Sequence, residues 1–291
     1  MKNGLTLSMI FEASSLNYGE GMGNISGLKH ITRADKRQYS YVSRQALRYS
    51  MIEQLGWDTT PTEANGSGEK RVIQFAPTAT IQDSPEIDLF GYMKTKKSAD
   101  TLTRSAVVRL TNAVSLEPYN ADLDFLTNMG LARRTGDKNA IAQSEQHHAL
   151  YAYTITIDLD RIGVDTNDGI ELAEAEKAKR VCDFLSCVQY LYRDIRGRRE
   201  NLAPVFAVGG LYERKTPFFD NRLKLKKKLE LDLDMLNAAL ESAPEGTMIG
   251  YVSGTLENDA AIKQLKQLKP MGEFFDALRS EVKERYAGSQ D

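Results

Sequence analysis

The chain has 291 residues and a formal net charge of −2. That length accommodates one large domain with a real core, and the charge excludes a uniformly basic nucleic-acid binder while leaving room for a local basic groove. Two cysteines, Cys182 and Cys187, exclude a disulfide framework and a four-cysteine zinc site. No apolar stretch approaches the roughly 20 residues of a membrane span, and no signal-peptide pattern opens the sequence. A cytoplasmic location without membrane contact is therefore expected.

"LTLSMIFEA" alternates, with Leu5, Leu7, Met9 and Phe11 on one face, and predicts a strand with one strongly buried face. A long polar loop follows to Tyr39. "SYVSRQALRYSMIEQLG" then reads as a helix closed by Gly56. Residues 57–100 are mixed, with "RVIQF" a short strand candidate. "SAVVRLTNAVSL" alternates again, placing Ala106, Val108, Leu110, Val114 and Leu116 on one face. Residues 117–148 are polar and irregular, and a stretch that long in a compact domain is usually functional or mobile. "ALYAYTITIDLD" is a second clear strand. "GIELAEAEKAKRVCDFLSCVQYLYRDIRG" reads as the best helix, with Asp168 as N-cap, Gly197 as stop and Val181, Leu185, Val188, Tyr192 and Ile195 as its buried stripe. "APVFAVGG" suits a strand buried on both faces. "RLKLKKKLELDLDMLNAALE" reads as helical, "TMIGYVSG" as a strand, and the C-terminal region as helical with a break before Pro270.

Strand, helix, strand, strand, helix, strand is the split βαβ, ferredoxin-like order. The fold class expected is α+β, a single domain over residues 1–291. RNA-recognition modules share that order. Residues 57–100 and 117–148 become insertions into the frame.

Between the first strand and first helix lies "SSLNYGEGMGNISGLKH", with Gly19, Gly21 and Gly23. It has neither the spacing of a dinucleotide fingerprint nor the Gly-Lys-Ser/Thr of a P-loop. Behind it Lys29, His30, Arg33, Lys36 and Arg37 crowd together, with Asp35 the one acid. Tyr41, Arg44 and Arg48 fall on one side of the expected helix, and Ser43 and Gln45 add polar donors. A phosphate chain would account for these like charges; a solvated basic face paired with acids elsewhere is the bland alternative.

These residues carry a resemblance. "FEASSLNYGEGMGNISGLKHITR" followed by "YSYVSRQALRYSMIEQLGW" resembles the N-terminal signature of the DevR family, CRISPR-associated backbone subunits of type I-B Cascade within the RAMP superfamily. "FGYMKT", "AVSLEPYNADLDFLTNMGLA", "HHALYAYTITIDLDRIG" and "VGGLYERKTPFFDNRL" extend it to about residue 225. The resemblance implies an RRM-like palm with fingers at about 57–100 and a thumb at about 117–148. It implies copies polymerised head to tail on a CRISPR guide RNA, with other Cascade subunits and target DNA as partners and no cofactor. Guide binding is carried to Asn17, Lys29, Ser43, Arg44, Gln45 and Arg48. On that reading glycines such as Gly21 let the backbone approach RNA, and Gly209–Gly210 match a later glycine-rich turn of the family. The RNA-binding set is completed by Arg33, Arg37 and Tyr41.

Other clusters are weighed against plain readings. Glu145, His147 and His148 in "SEQHH" suggest a metal-dependent ribonuclease on the ferredoxin-like frame, but adjacent histidines in a strand face opposite ways. Asp122 and Asp124 resemble a fragment of a cation loop without its glycine and distal glutamate. With Asp137 they alternatively meet a neighbouring copy's arginines. Cys182 and Cys187 read as packing residues, and Trp57 as a loop anchor. Arg193, Arg196, Arg198 and Arg199 read as a solvated helix end or as a contact to target DNA or a partner. No catalytic residue, metal ligand or cofactor site is expected.

Overall fold

The computed structural model describes residues 1–14, 16–19, 21, 23–65, 71–95, 101–120, 122–136, 138 and 141–288, the side chain of residue 65 excepted. The first strand, β1 (Gly4–Ala13), is as expected, but both of its faces are buried. Leu5, Leu7, Met9 and Phe11 enter the main core, while Ile10 enters a second core on the opposite side. The polar residues of that second face are satisfied internally. Ser8 Oγ lies 2.7 Å from Thr154 Oγ1, and Thr6 donates to Thr216 O at 3.1 Å. Alternation reveals the apolar face and hides the second one, because Thr6 and Ser8 are polar yet covered.

The stretch expected as loop contains β2 (Ile25–Ser26), β3 (His30–Thr32) and β4 (Gln38–Val42). Helix α1 (Arg44–Leu55) therefore begins later than expected, at its N-cap Ser43, and Gly56 ends it in the left-handed conformation. The described residues between 57 and 104 include β5 (Thr62–Asn65), β6 (Val72–Phe75), α2 (Pro85–Phe90), β7 (Tyr92–Thr95) and β8 (Thr101–Arg104). The alternating run after them is two strands, β9 (Val108–Leu110) and β10 (Ala113–Ser115). The break at Thr111–Asn112 shifts the buried set from Val108 to Ala113 and Ser115, so the single face expected through Leu116 does not hold. The irregular region beyond it is a hairpin: β11 (Asp122–Thr127) and β12 (Ile141–Gln146) pair in register, with α3 (Met129–Thr135) between them.

After β13 (Ala149–Asp158) come β14 (Val164–Asp165), β15 (Ile170–Glu171) and α4 (Glu174–Gln189). Helix α4 is shorter at both ends than the sequence pattern predicts. Asp168 is not its cap but an ion-pair partner of Lys94 at 2.6 Å. Tyr192 and Ile195 lie in a following hairpin, β16 (Tyr192–Ile195) and β17 (Arg198–Asn201). Arg196 (φ 48°) and Gly197 (φ 78°) form its two-residue turn, the left-handed pair that matches strand twist. Strand β18 (Phe206–Tyr212) is buried throughout, as its apolar run predicts. The lysine-rich stretch is a small hairpin, β19 (Leu225–Lys227) and β20 (Glu230–Leu231), before α5 (Leu233–Glu241). The chain ends with β21 (Met248–Tyr251), α6 (Asp259–Ile262), β22 (Leu268–Pro270) and α7 (Met271–Ala287).

The main sheet runs β22-β21-β18-β1-β13-β10-β4-β3, with β9 also on β13. Strand β1 is antiparallel to both β13 and β18. Val181, Phe184, Leu185 and Val188 of α4, with Leu47 and Met51 of α1 and Phe274 and Leu278 of α7, pack with one face of the sheet in the main core. Each such side chain contributes about 1.5–3 kcal/mol by leaving water. Phe219, Leu223, Leu231, Leu236 and Ile262 build the second core on the other side. Cys182 and Cys187 are buried free thiols, consistent with packing roles, and Trp57 packs against the main core.

Candidate nucleic-acid interface

The described residues of the glycine-rich segment are held by hydrogen bonds. Lys29 N donates to Asn17 O at 3.0 Å and Gly19 N to Gly27 O at 2.8 Å, and Tyr18 bridges to Leu28. Gly23 turns the chain at φ +60°, which a side chain would disfavour. Beyond the turn, β2 pairs in parallel with β12 of the projecting hairpin, and Leu28 N donates to Glu145 Oε2 at 2.8 Å. Loop and hairpin are thus one hydrogen-bonded unit.

The same loop reaches the start of α1. Asn17 Oδ1 accepts from Ser43 N at 2.8 Å, Asn112 Oδ1 from Arg44 N at 2.9 Å, and Ser43 Oγ from Ala46 N at 3.3 Å. Side chains therefore satisfy most of the donors a helix start leaves free. Asn17 orients the site through its carbonyl oxygen. Tyr41, expected on the helix, stands on β4, where its N–H donates to Lys29 O at 2.9 Å. Pairing of β4 with β3 and β10 and the Ser43 cap take it out of the helix.

Asn17, Lys29, Tyr41, Ser43 and Arg44 are thereby brought together. Arg33 and Arg37 flank the turn between β3 and β4. Arg33 lies 4.5 Å from the Tyr39 ring centre, and Arg37 pairs with Asp35 at 2.9 Å. The Tyr39 hydroxyl, followed by the Arg37 amide, holds the Asp35 carboxyl below its usual range. Gln45 and Arg48 are exposed on α1, with Arg48 5.7 Å from the Phe90 ring. Gly21 is exposed in the loop. Lys29, Arg33 and Arg44 have no carboxylate partner among the described residues.

Gly209 and Gly210 stand apart from this surface. They lie within buried β18 rather than in a turn. A Cβ at Gly209 (φ +155°) would meet Thr6 O at 1.9 Å, and one at Gly210 would meet Gly246 O at 2.5 Å. Close approach of β1 explains Gly209, and close approach of the turn at Gly246 explains Gly210.

Sequence reasoning misses the brace behind the loop. The arginines of 193–199 are not a helix end but the β16–β17 hairpin, packed against the glycine loop. Arg196 lies 3.8 Å over the Tyr18 ring, Arg193 donates to Leu16 O, and Glu200 Oε1 accepts from Ser14 N at 2.6 Å. Arg199 is held by Asp194 through two bonds of 2.8 Å. Arg-Gly is a weak turn signal beside Asn-Gly or Asp-Gly, so the hairpin is hidden inside the helix pattern. Asn112 is similarly hidden in an apparently continuous strand.

The SEQHH residues disperse. Glu145 binds the Leu28 amide and lies 3.7 Å from His30. His147 is buried, 2.7 Å from Ser40 Oγ, while His148 faces Glu12 at 2.9 Å in the open. Burial lowers the pKa of His30 and of His147. Asp124 accepts from Gln146 at 3.0 Å; Asp122 begins β11, and Asp137 lies outside the described residues. Among the described residues no His, Cys, Asp or Glu group suited to a metal occurs, and no helix is long and apolar enough to cross a membrane.

The family described as "CRISPR-associated negative auto-regulator DevR/Csa2" matches residues 5–230. The chain belongs to this family. Among solved structures, a chain of a "CRISPR RNA-guided surveillance complex, pre-nicking" is similar at TM-score 0.62 and 13% identity, covering 96% of this chain and 100% of the other. A chain of a "CRISPR RNA-guided surveillance complex" is similar at 0.57 and 14%, covering 98% and 99%. At such identities the shared property is the fold. No curated protein matches the chain. Within this DevR/Csa2 chain, the matched residues include the glycine loop, α1, both insertions and the β16–β17 brace.

Proposed function

We propose that this chain is the non-catalytic backbone subunit of a type I-B Cascade effector, coating CRISPR guide RNA and supporting its pairing with target DNA in antiviral defence. The palm is RRM-like, a reading supported by the β18-β1-β13-β10 strand order. Residues of about 57–100 act as fingers and residues of about 117–148 as a thumb. The observation that carries the proposal is the row of cations without carboxylate partners, Lys29, Arg33, Arg44 and Arg196, gathered around a braced glycine loop. A surface of that kind binds phosphate backbone without reading sequence, leaving sequence to base pairing. Copies add head to tail along the guide through unlike surfaces, a contact that propagates when its rotation does not close. Other subunits cap the array.

The test is salt dependence. Arg44→Ala with Arg48→Ala weakens binding to all single-stranded RNA sequences alike. The slope of log K against log salt falls by about 0.7 for each phosphate that is no longer neutralised. An unchanged slope in the folded double variant removes these residues from the site. The rival reading, a metal-dependent ribonuclease, predicts RNA cleavage when the protein is incubated with divalent metal, and abolition of that cleavage in His147→Ala/His148→Ala.

A further inference from the structure

The motif "TPFFDNRL" has no part in the phosphate surface, yet its turn closes a cavity of about 170 Å³ against the covered face of the sheet. That face is otherwise apolar core, but Ser8, Thr154 and Asp220 give the cavity a polar floor. We propose that the cavity receives the 2′-hydroxyl edge of one ribose of the bound RNA, and that Asp220 is the acceptor by which the protein tells ribose from deoxyribose. This deepens the RNA-binding reading above and rests on it.

The direction of the floor's hydrogen bonds is fixed. Thr154 Oγ1 donates to Asp220 Oδ1 at 3.2 Å, which uses its single proton. Ser8 Oγ, 2.7 Å from Thr154 Oγ1, is therefore the donor of that pair. Both buried hydroxyls thus send their protons toward the carboxylate, and Asp220 ends the chain as an acceptor. Its Oδ2 accepts from Asn221 at 3.0 Å. A carboxylate offers about four acceptor positions, so unused lone pairs remain. The turn holds them in place: Phe219 is fully buried, Asp220 N donates to Pro217 O and Arg222 N to Phe219 O, both at 3.0 Å.

A ribose 2′-hydroxyl donates and accepts, and it is the group that separates RNA from DNA at a given site. Its O–H donates to Asp220. Its oxygen accepts from Asn112, which also lines the cavity. The Asn112 oxygen is committed to Arg44 N at 2.9 Å, which leaves its NH2 group toward a ligand. Size agrees with a sugar. An apolar protein cavity of about 150 Å³ takes up benzene, so this space holds one small ring. It is below the roughly 300–1,000 Å³ of pockets that enclose drug-sized ligands, so base and phosphate stay outside. Val114, Leu116 and Leu223 supply apolar walls for the sugar's C–H edge. No base edge is read, so the contact suits any RNA sequence.

The cavity is also in the right place. Arg33 lines it and belongs to the basic surface, and Asn112 joins it to the start of α1. A strand whose phosphates follow Lys29, Arg33 and Arg44 therefore carries its sugars past the mouth, where Lys224 adds a second cation.

The experiment measures binding of short oligouridylate with 2′-hydroxyl, 2′-deoxy or 2′-fluoro sugars to the full chain at neutral pH and fixed salt. The 2′-fluoro sugar keeps the RNA-like ring pucker but cannot donate, so it isolates the hydrogen bond. Wild type binds the ribose form about tenfold more tightly than either other form, the lower part of the range for a hydrogen bond to a charged group. Oligoadenylate gives the same ratios. Asp220→Asn reduces the preference to about threefold or less, and leaves binding of the 2′-fluoro form equal or tighter because a negative charge near the phosphates is gone. Val114→Phe fills the cavity from a different strand and removes the preference while retaining salt-dependent binding. Uridine monophosphate competes only at far higher concentration than the oligomer. Equal wild-type affinity for the ribose and 2′-fluoro forms, or a preference that survives both variants, overturns the ribose site while leaving RNA binding intact. A merely structural Asp220 would weaken all three forms together at an unchanged ratio, which also overturns the site. Ratios that differ between the two sequences overturn the sugar as the group recognised. Equal affinity for the mononucleotide overturns RNA as the source of the ribose. Failure to bind any of the oligomers overturns both readings.

Discussion

The two insertions hold their shapes in opposite ways. The 57–104 region has a small core of its own, with Ala79, Ile81, Ile87 and Tyr92 buried. Asp88 meets Arg104 within the region at 2.8 Å, and two further buried ion pairs fasten the region to the frame: Asp88 with Arg180 at 3.0 Å and Lys94 with Asp168 at 2.6 Å. The 122–146 hairpin has no buried residue in β11 or α3. Phe125 is 61% and Leu126 70% exposed. It stands by its own strand pairing and by its seam with β2. One insertion is therefore a fixture of the fold, and the other presents surface. Exposed apolar residues concentrated on a projecting element mark a contact surface, and in the proposed array that contact is a neighbouring copy.

The largest expected effect breaks the first half of this contrast. Asp88→Ala leaves the buried Arg104 and Arg180 guanidinium groups without their carboxylate. Removing one partner of a buried pair costs about 3–5 kcal/mol. Urea unfolding followed by circular dichroism should show this destabilisation as a lower midpoint. A change under about 1 kcal/mol would mean that water replaces the carboxylate and the insertion is not held there.

The second prediction tests the hairpin. Phe125→Ser with Leu126→Ser should shift stability by no more than about 0.5 kcal/mol, the usual size for exposed sites. It should nevertheless reduce the number of copies that assemble on a long guide RNA. Native mass spectrometry on guides of increasing length measures this, with wild-type copy number rising with spacer length. A large drop in stability would show that the hairpin is core, and undiminished assembly would remove it from the array contact.

The same contrast explains what can be read from the sequence. Strands β1, β13 and β18 are legible because their side chains report burial directly, with long apolar alternation or an all-apolar run. The N-terminal boundary of α1 is obscured because Tyr39 to Val42 carry residues tolerated in a helix, although the β4–β10 pairing makes them a strand. The hairpin is invisible to a hydrophobic pattern because none of its outer residues enters a core. Buried charge escapes as well: Asp88, Lys94 and Arg180 look like surface residues until tertiary structure supplies their partners. At the candidate site, Lys29, Ser43 and Arg44 are identified by charge and family motif. Arg193, Arg196 and Asn112 cannot be placed there from sequence, since their contacts join segments far apart along the chain.

The smallest expected effect concerns the seam between the hairpin and the glycine loop. Charged and ionisable groups from several elements meet there: His30 and Ser40 from β3 and β4, Tyr119, Glu145 and His147 at the hairpin base, and Tyr151 from β13. Asp122 and His148 act on His147 from a greater distance. Burial lowers the pKa of His30, with Glu145 partly opposing, and burial lowers that of His147. A histidine whose folded pKa is depressed binds protons more readily when unfolded. Its stabilising contribution is full above the unfolded value of about 6.5 and declines as pH falls through the window down to the folded value. Glu117 has the opposite sign, because burial raises its pKa and acid then favours the folded form. The net change is small, so the measurement must be local. Hydrogen exchange at the Leu28 and Tyr41 amides should quicken, relative to amides of β7 and β8, as pH falls from about 7 to about 5 after correction for intrinsic rates. In His147→Gln, which keeps a polar partner for Ser40, the acid response should shrink. An equal response in wild type and variant would assign the titration to other groups at the seam, and no response in either would mean that the seam stays closed when its histidines are charged.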